Sequence, residues 1–266
     1  MTDGEFRRIA RYIENKAGIH LDEKRVLVEG RLDYYIMKKG YDNYSEYMNA
    51  VESDITGRLA EELINMLTTN HTYFMREYEH FDFFYKVVLP ELKAAKSGTK
   101  DLRIWCAASS TGEEPYTLAM IIRDSLGLEA DKWDTQLLAT DISTEVLKTA
   151  IRGIYPAKDI KPVPENWKRR YFRQVDKDHV EVTKEIKEQV LFRQFNLMSP
   201  LPFRQPLQVI FMRNVMIYFD KEHKNQLLQR VYDCMEPGGY LFVGATEAID
   251  RKIVPFQYVQ PSVYRK

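Results

Sequence analysis

The chain lacks most of the patterns that announce the simplest functions. Only two cysteines occur in 266 residues. Cys106 and Cys234 each sit in an apolar stretch, which reads as a buried, reduced thiol in a reducing compartment. Neither has the paired spacing of a zinc site. The five histidines are scattered without an HExxH pattern, so we expect no metal. Neither sign of charge is in excess, since 39 Lys and Arg balance 39 Asp and Glu. That argues against a protein wrapped on nucleic acid, which needs a basic surplus. No run reaches the ~18 apolar residues of a membrane helix. The opening MTDGEFRRIA has neither an apolar core nor a small-residue cleavage site, so no secretory signal is expected. What remains is an ordinary globular protein, expected in the cytoplasm.

Residues 1–75 read as an all-helical domain by periodicity and breaker placement. GEFRRIARYIENKAG is amphipathic and stops at Gly18. DEKRVLVEGRLDYYIMKKG starts acidic and ends Lys-Lys-Gly, which suits the helix dipole at both ends. Residues 76–100 read as a helical connector whose end is marked by Pro90 and KSGTK. From residue 101 to 266 short apolar strands alternate with helices, which implies a parallel sheet with both faces covered. Residues 154–190 interrupt the alternation, and we expect a short helix and a small antiparallel hairpin there. An insertion of this size with its own elements is more often functional than a bare linker.

Glycine is missing where a nucleotide fold usually needs it. RIWCAASSTGEEPYTLA runs from a strand through a tight loop into a helix, the place where a dinucleotide-binding turn carries three glycines. This turn has one, Gly112, followed by Glu113 and Glu114. Its N–H groups suit a carboxylate or a ribose oxygen, and its glutamates suit a cation. A ligand with a nucleoside, a carboxylate and an ammonium, such as S-adenosylmethionine, uses this loop better than a pyrophosphate does. The alternative is a pair of acidic residues favoured at a helix start. QLLATDIS ends the next strand on Asp141, 28 residues after Glu113, where an acid accepts ribose hydroxyls or caps the following helix.

TTNHTYFMRE, WCAASSTGEEPYTLA, ATDIS, FNL and FMRNVMIYF together resemble the CheR family of chemotaxis receptor glutamate methyltransferases, over nearly the whole chain. The resemblance implies a class I S-adenosylmethionine-dependent methyltransferase fold. Its seven-stranded, mostly parallel sheet has an antiparallel last strand, and an all-α N-terminal domain and a small β insertion accompany it. It further implies that Asn70, Thr72 and Arg76 reach the cofactor or active site, that Glu113 binds the methionine ammonium and that Asp141 binds the ribose. Asn196 and Leu197 would flank the adenine, Arg213 and Asn214 would complete the pocket, and Tyr218 would sit near the reacting methyl. Glu114, about 100° around the helix from Glu113, is expected only to cap the helix or hold the loop. Thr72 and Arg76, four apart, share one face if the connector is helical.

Glutamate is ionised near neutral pH, so the implied reaction needs no general base. Arg76 is the expected orienting group for the incoming carboxylate, with Tyr218 assisting. In the second helix Lys24, Arg31 and Lys38 are seven apart and form one stripe, either a solvated face or a seat for an acidic receptor helix. In some family members a glycine-bearing hairpin loop grips a receptor tether. Here the turn is a glycine-free DKD, so docking on the receptor bundle without a tether is expected, with recruitment to membrane receptor clusters. The competing readings are a cofactor-binding scaffold without activity and a methyltransferase for another acceptor.

Overall fold

The computed structural model describes residues 1–21 and 24–266. The acidic start expected for the second helix, Asp22 and Glu23, lies outside the described residues. Local chemistry sets the first helices. Thr2 and Glu5 form a reciprocal capping box at the head of α1 (Asp3–Ala17), and Gly18 closes it at φ 70°. α2 (Arg25–Lys38), α3 (Tyr44–Ser53) and α4 (Arg58–Leu67) follow, and the Asn43 side chain caps α3. Ile9 and Ile13 of α1 and Val28, Leu32 and Ile36 of α2 recur every fourth residue. They meet Tyr47 and Leu63 in a core separate from that of the sheet.

The connector is helical over 78–95, but the stretch that leads into it is not. Residues 68–77 form no helix, and Met75 (φ 64°) and Glu77 (φ 56°) take left-handed backbone. Thr72 and Arg76 therefore do not share a helix face. Helix begins at α5 (Tyr78–Phe83), widens into a π-type turn over Phe84–Val88 and resumes as α6 (Leu89–Ala95). Pro90 does not end the helix. A proline has no N–H and crowds the carbonyl four residues earlier, and the widened turn before it absorbs both.

The remaining elements are β1 (Ile104–Ala107), α7 (Glu113–Leu126), β2 (Leu137–Asp141), α8 (Thr144–Arg152), β3 (Ile154–Pro156), α9 (Glu165–Tyr171), β4 (Phe172–Gln174) and β5 (His179–Val182). Then come α10 (Lys184–Lys187), β6 (Val190–Gln194), β7 (Leu207–Met212), α11 (Lys221–Cys234), β8 (Met235–Val243), β9 (Gln257–Gln260) and β10 (Val263–Arg265). Seven strands form one sheet in the order β6-β2-β1-β7-β8-β10-β9. The five from β6 to β8 are parallel. β10, the last in the chain, is antiparallel as expected, but it lies between β8 and the edge strand β9. β1 and β7 are buried along their whole length, as a sheet covered on both faces requires.

The insertion has one strand more than the expected hairpin. β3 pairs with β5 on the side opposite β4, giving a three-stranded sheet β3-β5-β4. Ile154-Tyr155-Pro156 is short and contains a proline, so it does not read as a strand. At the edge of a sheet the missing proline N–H is harmless. The hairpin turn needs no glycine because the Asp176 carboxylate accepts the N–H groups of Asp178 (2.8 Å) and His179 (2.9 Å).

Candidate active site

Four strand ends and the segment between α4 and α5 surround one cavity. Its wall includes Ala17 and Ile19 at and beyond the end of α1, Asn70 to Tyr73 and Arg76 between α4 and α5, Ala108 to Ser110 after β1, Asp141 at the end of β2, Asn196 and Leu197 after β6, and Arg213 to Val215 and Tyr218 after β7. It thus opens at the carboxyl ends of parallel strands, where open α/β sheets bind ligands.

The loop after β1 explains its lack of glycine. Ala108 (φ 71°), Ser110 (φ 48°) and Gly112 (φ 99°) all take left-handed backbone, the same alternate-residue pattern that glycines usually serve. At Ala108 and Ser110 this costs about 1–2 kcal/mol each. Two bonds help hold Ser110 there: its N–H donates to Asp141 Oδ2 (2.8 Å) and its hydroxyl to the Asn70 carbonyl (2.8 Å). Only Gly112 cannot be replaced on space alone, since a Cβ would sit 2.9 Å from both Ala150 Cβ and Tyr155 Oη.

Asp141 is 6% exposed. Its Oδ1 accepts the Ser143 N–H (3.0 Å) and its Oδ2 that of Ser110. Burial pushes its carboxyl above the ordinary range, and the backbone N–H groups of Ser143, Ser110 and Ile142 work against the rise. A carboxylate offers about four lone-pair positions. With one taken on each oxygen, two remain, which matches the two hydroxyls of a ribose.

Glu113 and Glu114 point to different surroundings. Glu113 does not line the cavity. Its side chain turns toward the insertion, where it accepts the Thr111 hydroxyl (2.7 Å), and burial pushes its carboxyl up. Glu114 lines the cavity and forms an ion pair with Arg213 Nη1. It also accepts the Cys106 thiol at 2.9 Å, and burial raises the pKa of that thiol well above the usual value. The one-residue rotation between the glutamates was legible in the sequence. Which of them turns inward depends on how the strand enters the helix, and that was not.

Arg213 is no surface ion pair, because its side chain is 2% exposed. It pairs with Glu114 and with Glu77 (3.2 Å), donates to the Arg76 carbonyl and lies over the Phe81 ring at 5.2 Å. Burial works to raise the Glu77 carboxyl, but Arg213 and the Asn214 amide more than offset it, and the net pKa is lowered. His80, behind Glu77, is pushed down to about 4 by burial and by Arg213, so it is neutral at pH 7. On the wall itself Arg76 and Arg213 balance Glu114 and Asp141, and Glu77 pairs with Arg213 behind it. Glu77 closes the TTNHTYFMRE stretch, but its pairing depends on left-handed backbone that the sequence does not mark.

Arg76 closes its own loop, donating from Nη1 to the His71 carbonyl (2.7 Å), and leaves other N–H groups on the cavity wall. The Tyr218 hydroxyl donates to the Thr69 carbonyl (3.3 Å), and its ring faces Lys24 Nζ at 5.0 Å. Asn70 Nδ2 donates to the Thr68 hydroxyl (3.2 Å), and Thr72 stands beside it on the wall. The Asn196 amide is already engaged, donating to the Lys16 carbonyl (2.6 Å) and accepting the Met198 N–H (2.9 Å). Ile142, Phe195 and Leu197 leave an apolar slot next to it, suited to a flat base. Asn214 has φ 57° and donates to Glu77 Oε1 (3.2 Å).

The basic stripe on α2 does not survive as a unit. Arg31 donates to the carbonyls of Met66 (3.1 Å) and Thr68 (2.7 Å) and to the Thr69 hydroxyl (3.1 Å), tying α2 to the end of α4. Lys24 is held over Tyr218, and Lys38 lies over the Tyr34 ring at 5.9 Å. A seven-residue spacing places side chains on one face but does not say which of them a neighbouring helix end takes up. The helical unit also contacts the sheet domain: the His20 N–H donates to the Tyr218 carbonyl (2.8 Å), and Gly18 gives way to Met198, whose Sδ would lie 2.5 Å from a Cβ.

Residues 70–264 match the family model described as CheR methyltransferase, SAM binding domain, and residues 4–68 match CheR methyltransferase, all-alpha domain. The chain is 38% identical to a chemotaxis protein methyltransferase of Borreliella burgdorferi, covering 100% of this chain and 95% of that protein. It is 36% identical to one of Salmonella typhimurium, covering 99% and 90%, and 38% identical to one of Escherichia coli, covering 93% and 85%. With both family domains matched in order and the cavity set at the strand ends, the chain belongs to the CheR methyltransferase family and is an S-adenosylmethionine-dependent methyltransferase of chemotaxis.

Proposed function

We propose that the chain methylates glutamate side-chain carboxylates in the cytoplasmic helices of chemoreceptors, giving glutamate methyl esters and S-adenosylhomocysteine. The observation that carries this reading is the cavity wall itself. It joins an Asp141 carboxylate with two free acceptor positions, an apolar slot at Leu197, the inward-facing Glu114 carboxylate, and Arg76 and Tyr218. S-adenosylmethionine supplies an electrophilic sulfonium methyl. Asp141 would hold the ribose, and Ile142, Phe195 and Leu197 would flank the adenine. Glu114, in place of Glu113, would face the methionine ammonium.

The acceptor carboxylate arrives ionised and hydrated, so the work of the chain is positioning and exclusion of water. Arg76 orients it through N–H groups not engaged by His71. One donor is already taken, which favours orientation over a tight grip that would quench the nucleophile. Tyr218 sits on the same wall, its hydroxyl fixed by Thr69.

Lys24 and Lys38 are the residues of the α2 stripe left for docking an acidic receptor helix, since Arg31 is taken up within the helical unit. The Asp176 turn has no glycine, which supports docking without a receptor tether. Localisation to receptor clusters in the cytoplasm follows from that substrate, and among the described residues no helix is long and apolar enough to cross a membrane. Methyl-labelled cofactor with a chemoreceptor cytoplasmic fragment should label the fragment at equal rates with and without its C-terminal tail. An unlabelled fragment overturns the substrate; a large loss of rate on truncation overturns tether-free docking.

A further inference from the structure

The segment GATEA follows β8 and contributes nothing to the cavity wall, yet it contains a buried acid. Glu247 is 5% exposed. Its Oε2 accepts the N–H groups of Asn214 (2.8 Å) and Gly244 (2.7 Å), and its Oε1 those of Met216 (2.7 Å) and Ile217 (3.2 Å). Four donors fill the four lone-pair positions of a carboxylate. Asp141 keeps two positions open, whereas Glu247 keeps none, so it cannot serve a ligand directly.

Three of the four donors belong to the loop after β7, the loop that carries Asn214 and Tyr218 into the cavity. That loop is strained and close-packed. Asn214 sits at φ 57°, and Gly244 passes so near it that a Cβ would lie 2.7 Å from Asn214 Oδ1 and 2.8 Å from its N. The short 3₁₀ turn over Met216–Tyr218 begins where Glu247 Oε1 takes two consecutive N–H groups. A helical turn leaves its first N–H groups without partners inside it, and the carboxylate supplies them. The Tyr218 N–H then bonds to the Val215 carbonyl (3.2 Å).

We propose that Glu247 is a positioning residue for methyl transfer, fixing Asn214 and Tyr218 against the cofactor through the backbone of residues 214–217. This rests on the function proposed above. A glutamine at 247 keeps the shape but turns an amide NH₂ toward one pair of N–H donors, which then have no acceptor.

The test compares wild type, Glu247→Gln and Glu247→Asp at a temperature where circular dichroism shows all of them folded. In Glu247→Gln, hydrogen exchange should speed up at one pair of amides, those of 214 and 244 or those of 216 and 217. The turnover rate should fall on the order of ten- to a hundredfold, the scale expected for a displacement of about 1 Å. Affinity for S-adenosylhomocysteine should fall less, because Asp141 lies on another element. Glu247→Asp keeps both oxygens and should recover part of the rate. Faster exchange at these amides with an unchanged rate and affinity would overturn the proposal, and so would unchanged exchange. A fall in melting temperature alone, with full activity below it, would mark Glu247 as merely structural. If wild type transfers no methyl group to a receptor fragment, the functional reading fails, while exchange and S-adenosylhomocysteine binding still test the positioning.

Discussion

Replacing Asp141 with asparagine removes one charge and one acceptor oxygen while keeping the side chain's shape. The structure sets the size of the effect. Ser110 and Ser143 N–H groups take one position on each oxygen, at 2.8 and 3.0 Å. Two positions remain for ribose hydroxyls. An asparagine must aim its NH₂ at one of those two N–H groups, so one backbone bond and one ribose bond are lost together. The surviving ribose bond becomes neutral. Hydrogen bonds to a charged group contribute roughly 1.5–3 kcal/mol each. A total near 3–4 kcal/mol corresponds to binding weaker by about 100- to 1000-fold. Calorimetric titration with S-adenosylhomocysteine measures this directly. A 2′-deoxy analogue provides the matched control: it should bind wild type more weakly than the parent compound does, and should lose much less on going to the variant. Burial raises the Asp141 carboxyl, so wild-type affinity should also fall as pH drops through that raised value and the carboxylate is neutralised. An affinity within about threefold of wild type would show that Asp141 only bridges two loops, and would remove it from the ribose site.

Glu114→Gln should weaken S-adenosylhomocysteine binding and lower stability, because it leaves Arg213 with Glu77 as its remaining carboxylate; Glu113→Gln should leave binding near wild type. The reverse ranking in calorimetry would refute the orientation of the two glutamates. Arg76→Ala should lower the methylation rate far more than cofactor affinity, and a defect explained wholly by affinity would end its orienting role. His80 titrates near 4 in the folded chain against 6.5 when free. The unfolded chain therefore binds the extra proton between these values, and the His80 contribution to stability is lost as pH falls through that window. The loss is on the order of 3 kcal/mol. Denaturant unfolding of His80→Phe, which keeps a ring against Phe242, should show a correspondingly shallower fall from pH 7 to 4. Parallel profiles would refute this.

The alternation of strands and helices after residue 101 was legible because buried parallel strands are short apolar runs set off by amphipathic helices. Gly112 and Asp141 could likewise be placed at strand ends from sequence. The stretch 68–77 before α5 could not be read, because its apolar and aromatic content imitates a helix. What breaks it is left-handed backbone at Met75 and Glu77, residue types that rarely adopt it. Pro90 misled in the opposite direction, since a widened turn lets the helix continue through it. Arg31 looked free because its acceptors are backbone carbonyls 35 and 37 residues away. Glu247 was hidden for the same reason: its four donors are backbone groups, and backbone groups leave no motif.

The central claim is that the acceptor is a carboxylate, and the chemistry of the product tests it. A chemoreceptor cytoplasmic fragment labelled from methyl-labelled S-adenosylmethionine should release its label as methanol on mild base treatment, as methyl esters do. Label that stays on the protein through base would show methylation of nitrogen and would contradict the account.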